Sequence, residues 1–124
     1  MEVPGLDILP RTEVAKLLGE FWKYAEPYEV IGISGGDFKA LFLHLEDGIF
    51  EGHWWGTNAR DSLRKIKQCL HALAKEYPGC TVRGMTPVTD LKALKMARLF
   101  GTQPVGFKKD RVGVLHLCTE WKEN

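Results

Sequence analysis

An α+β fold, with a mixed central sheet and helices on both faces, is what this sequence predicts, and three observations carry that prediction. Residues 28–55 hold three runs of β-forming residues joined by two glycine turns, the pattern of an antiparallel meander. Residues 51–85 then run strand, helix, strand, which is the parallel βαβ unit. A second helix and a terminal hairpin follow. The 124 residues are enough for one sizeable core and too few for two, so the expectation is a single domain over 1–124.

Each element has its own signal. Thr12 and Glu13 open a first helix with Val14, Leu17, Leu18, Phe21 and Trp22 on one side, and Pro27 ends it. YEVIGIS (28–34) is followed by Gly35-Gly36-Asp37, which supplies the positive-φ residues of a tight turn. FKALFLHL (38–45), Glu46-Asp47-Gly48 and IFEGHWW (49–55) complete the meander. In 59–77, Leu63, Ile66, Leu70, Leu73 and Tyr77 recur at three- and four-residue intervals, one stripe facing a sheet. Asn58 is its N-cap, Asp61 suits the positive end of its dipole, and Pro78-Gly79 stops it. CTVRGM (80–85) is a strand; Thr89, with Asp90 beside it, caps a helix over 89–100 that Gly101 closes. TQPVGFK and RVGVLHLCTEW form a hairpin about Lys109 and Asp110.

The totals exclude several functions. Net charge is +1, so nothing global attracts nucleic acid or an anionic membrane. The clusters Arg64, Lys65, Lys67 and Lys108, Lys109, Arg111 are read as solvated faces. No apolar run reaches the roughly 20 residues that cross a bilayer, and the N-terminus lacks a signal-peptide pattern. Cys69, Cys80 and Cys118 lack the spacing of a metal or redox pair and read as reduced core thiols. Four scattered histidines make no metal site, and His44 and His116 read as ordinary strand residues.

Chemistry concentrates after the third strand. Trp55-Gly56-Thr57-Asn58-Ala59-Arg60 leads into a helix whose first N–H groups lack partners and carry partial positive charge, a place for an anionic ligand. The same loop is also a plain strand-to-helix turn with an Asn cap. Glu51 and His53, two apart on a strand, share a face. Either is a general base, working near neutral pH if its pKa suits, or a polar residue on an open sheet face.

The element order resembles that of the GCN5-related N-acetyltransferase fold, over about residues 11–118. Thr86-Pro87-x-x-Asp90-x-x-Ala93-x-x-Met96-Ala97-x-x-x-Gly101 is similar to that family's pattern of Asn, a small residue three on, an apolar one six on and Gly eleven on. The resemblance implies acetyl-CoA or CoA held by residues 55–60, with Asp90 at the place of the family's asparagine, and an amine substrate deprotonated by Glu51 or His53. It also implies that residues 56–60 lie beside a gap between two splayed strands, with their amides turned inward. One of Trp54 and Trp55 then lines a groove for pantetheine or a protein, or caps the sheet edge.

Two departures weaken the implied activity. The family loop reads Arg/Gln-x-x-Gly-x-Gly/Ala, whereas Asn58 and Arg60 stand at glycine-like places here. The family's tyrosine that protonates the leaving thiolate falls on Ala97. The chain is similar to small acetyltransferase-like proteins of tailed bacteriophages. That likeness implies an alternative role as an inactive head-assembly or virion adaptor, with a location in host cytoplasm or virion rather than secretion.

Overall fold

Gly36 and Gly48, at φ of 64° and 73°, take the left-handed conformation that two tight turns require, and three strands fold back on one another about them. A computed structural model describes residues 1–123. These strands are β2 (Glu29–Gly35), β3 (Phe38–Glu46) and β4 (Ile49–Trp55), with a register irregularity between His44 and Glu46. Ahead of them stand β1 (Asp7–Leu9), α1 (Arg11–Leu18) and α2 (Trp22–Ala25). After them come α3 (Ala59–Glu76), β5 (Thr81–Pro87), α4 (Leu91–Leu99), β6 (Gln103–Lys109) and β7 (Leu115–Lys122). The sheet order is β1-β2-β3-β4-β5-β7-β6, antiparallel throughout except for the parallel β4–β5 pair across α3.

Alternation divides the sheet into two apolar faces. Ile33, Ala40, Phe42, Phe50 and Val82 meet the stripe Ile66, Cys69, Leu70, Leu73 of α3. Leu41 and Leu43 point the other way and meet Val14 and Ala25. Val14 sits over Gly32, where an added Cβ would lie 2.6 Å from its Cγ2; this lets α1 approach the sheet closely.

Two expectations need correction. The tail before Pro10 forms β1, paired with β2 from Asp7↔Ser34 to Leu9↔Gly32. The first helix is not continuous: Gly19, at φ 55°, ends α1, and a 3-10 turn over Gly19–Phe21 redirects the chain into α2. An edge strand of three residues and a glycine break within an amphipathic run are both set by packing rather than periodicity.

The cysteines are free thiols, with Cys69 and Cys80 buried. Burial pushes the Cys69 thiol from 9.0 up to about 12. Its folded pKa is raised, so the neutral thiol's contribution is complete below the unfolded value and is lost as pH climbs toward the folded one. Stability should therefore fall by up to about 1.4 kcal/mol per pH unit above roughly pH 9. The urea midpoint should drop between about pH 8.5 and pH 10.5, and Cys69→Ala should flatten that drop. Burial also raises Tyr77 and Cys80, which adds in the same sense.

Candidate active cleft

The β4 and β5 strands have seven residues each, yet they pair only at Ile49↔Thr81, Phe50↔Val82 and Glu51↔Arg83. Beyond Glu51 they part, while β5 stays paired with β7 as far as Pro87↔His116. Gly52 marks the fork: a Cβ there would press on Val82 Cγ1 at 3.0 Å and Phe42 Cε1 at 3.3 Å. The facing edges, residues 52–55 and 84–87, thus present backbone donors and acceptors that no neighbouring strand takes up. Between them runs a cleft of about 1150 Å³ that passes from one face of the sheet to the other. The splayed gap implied by the sequence is present.

The loop beside the gap departs from expectation in one respect. Thr57 donates both its N–H (2.9 Å) and its hydroxyl to Asp37 Oδ2, across from the β2–β3 turn. That hydrogen bonding, hydroxyl first and amide second, holds the Asp37 carboxyl below its usual range. The Thr57 amide therefore faces a carboxylate of the chain itself. Asn58 is the N-cap as expected, accepting from the Asp61 N–H at 2.9 Å, which leaves the N–H groups of Ala59 and Arg60 without intrahelical acceptors. Asp61 pairs with Lys65 and Arg64, each at 2.8 Å, and those bonds lower its pKa. Gly56 is required for packing, since a Cβ there would stand 2.4 Å from the buried Ser62 Oγ.

Trp55, Gly56, Thr57, Ala59 and Asp90 line the cleft, whereas Asn58 and Arg60 stand outside its lining. Of Thr89 and Asp90, Asp90 is the cap of the second helix: its Oδ1 accepts the Ala93 N–H at 3.1 Å. Of the tryptophans, Trp54 packs edge-on against Phe100 with centroids 6.3 Å apart, and Trp55 is the exposed one. Ala97 is buried in α4 and offers no proton.

Glu51 lies opposite Leu43 and His53 opposite Leu41, so both point to the α1–α2 face. Both line the cleft, with His53 Nε2 3.6 Å from Glu51 Oε2. The imidazole of His53 beside it is the leading reason that the Glu51 carboxyl sits below its usual range; partial burial opposes it, and the charge of Lys108 assists. This reverses the raised pKa a carboxylate base would need. Glu51 therefore stays ionised beside the His53 ring. His44, by contrast, stacks on Phe50 at 4.4 Å.

Two sets of residues escaped the sequence reading. Asp37 was read only as a turn residue, and its bond to Thr57 spans 20 positions. Phe21 in the helix stripe, Tyr28 at a strand start and Tyr24, which the sequence does not single out, line the cleft on the α2 side. An aromatic beyond the break at Gly19 was the available signal.

No family model matches the sequence, and no curated protein matches it. Solved structures do match in fold. The ribosomal-protein-S18-alanine N-acetyltransferase from Escherichia coli superposes with a TM-score of 0.69 at 8% identity, over 93% of this chain and 90% of that one. The ribosomal-protein-S5-alanine acetyltransferase from Vibrio fischeri gives 0.68 at 8% identity, over 90% and 69%. The aminoglycoside acetyltransferase AAC(6')-Ib in complex with coenzyme A gives 0.67 at 11% identity, over 94% and 92%. With the mixed seven-stranded sheet, the parted β4 and β5 and the loop opening α3, the chain has the fold of the GCN5-related N-acetyltransferases.

Proposed function

We propose that this chain transfers an acetyl group from acetyl-CoA to an amine. The observation that carries the reading is a cleft crossing the sheet where β4 and β5 part, with Glu51 and His53 on its rim. The residues present suit the coenzyme. The unpaired edges at 52–55 and 84–87 match the amides of a pantetheine arm, and the Ala59 and Arg60 N–H groups with the Arg60 guanidinium suit a diphosphate. Bound there, the coenzyme supplies a thioester whose acetyl carbon is activated toward amines.

The chain's own groups manage the proton. An ammonium entering from the α2 side gives its proton to His53, and the ionised Glu51 faces the resulting imidazolium. The N–C bond forms and the C–S bond breaks, so that an ammonium and a thioester become an amide, a thiol and one proton. With Ala97 on α4, that position supplies no proton to the thiolate. The adaptor reading gains no support from the matching folds, whose names are those of acetyltransferases.

Calorimetric titration with acetyl-CoA up to about millimolar tests the proposal; the absence of both heat and a thermal shift would overturn it. Asp37 adds a sharper expectation. Asp37→Ala frees the Thr57 amide and removes a negative charge beside the phosphate site. CoA should then bind about five- to tenfold more tightly, the effect of one solvent-screened charge. Pantetheine, which has no phosphate, should bind unchanged.

A further inference from the structure

We infer that the acceptor is a primary amine with a single positive charge on an apolar, aromatic body. The inference rests on the acetyl-transfer reading and concerns the half of the cleft that the coenzyme does not need. On the α2 side this half is walled by Phe21, 59% exposed, and Tyr24, 52% exposed, with Tyr28 beside them. On the sheet side, Trp55 and Met85 are also exposed. Aromatics left open to water inside a concave site mark where a ligand's apolar surface is to be buried.

Charge sets the other limit. The cleft's lining carboxylates are Glu51 and Asp90, and Asp90 is engaged in capping α4. Opposing them, Lys92 lines the cleft from α4, and Arg83 lines it on the same sheet face as Glu51 with its Nε 3.3 Å from Glu120 Oε2. The charge of Lys108, on β6, also reaches Glu51. Arg111 lies 5.7 Å from the Tyr24 ring centroid and brings the β6–β7 turn over α2. Asp110 braces that turn by accepting from the Val112 and Val114 N–H groups. One ammonium has a partner at Glu51; a second or third would meet cations. Polyamines and aminosugars are therefore disfavoured, and an arylalkylamine fits.

The experiment uses the full chain with acetyl-CoA, following free thiol with 2-phenylethylamine or spermidine as acceptor. The expected kcat/KM is at least about tenfold higher for 2-phenylethylamine. Tyr24→Ala and Phe21→Ala should each raise its KM by about tenfold, the loss of one aromatic contact. Tyr24→Phe should restore it, and the Kd for acetyl-CoA should not change. If acetyl-CoA binds but spermidine is preferred, neither amine is acetylated, or both Ala variants keep the wild-type KM, the acceptor assignment is overturned and the coenzyme reading survives. If acetyl-CoA does not bind, both fall together.

Discussion

His53→Ala is expected to slow acetyl transfer by about 10²- to 10³-fold, the usual worth of a positioned proton acceptor, while acetyl-CoA binds as before. The separation of rate from binding is the informative part. The imidazole stands at the rim of the cleft, 3.6 Å from Glu51, and outside the loop that opens α3. Glu51→Gln should act through the same group. The carboxyl is held ionised by the imidazole beside it, and an amide cannot balance an imidazolium. Its loss should be smaller than that of His53→Ala, and the double variant should fall little below His53→Ala, because the two act as a unit. Single-turnover rates with a saturating amine, alongside calorimetric Kd values, check this. Equal and additive losses would mean that Glu51 and His53 act separately.

Phe42→Ala should destabilise the fold by about 3–5 kcal/mol, the range for emptying an aromatic site in a core. Phe42 is 1% exposed on the central strand β3, within the cluster that also holds Phe50, Leu70 and Val82. Its ring also reaches the fork: the Cε1 atom lies 3.3 Å from the place a Cβ would take on Gly52. Removing the ring should both open a cavity and relax the angle at which β4 leaves β5. Urea unfolding measures the first effect, and a weaker acetyl-CoA affinity in the folded variant measures the second. Phe42→Leu, which keeps most of the volume, should cost about 1–2 kcal/mol and bind nearly normally.

Local chemistry explains what the sequence revealed about this fold. Gly36, Gly48, the Asn58 cap and the stripe on α3 each act within a few residues, so the meander and its helix could be read directly. The parting of β4 and β5 came only through the resemblance, since nothing in IFEGHWW says where its ladder stops. Contacts made across the fold were out of reach. Asp37 meets Thr57 only after two strands have turned back, and which of Thr89 and Asp90 is the cap depends on where the backbone turns. Glu51 and His53 were legible as neighbours on one face, but the sign of the Glu51 shift depended on the imidazole approaching it and on Lys108 arriving from a distant strand.

The three paired positions that join β4 to β5 are also the narrowest seam among the long strands, with four strands on one side and three on the other. A pull applied across that line meets fewer ladder bonds than anywhere else among the long strands, so mechanical unzipping should start there. A thioester ligand lying between the two edges would act as a stitch. Amide exchange in 49–51 and 81–83 should slow when it is bound, well beyond the residues it touches.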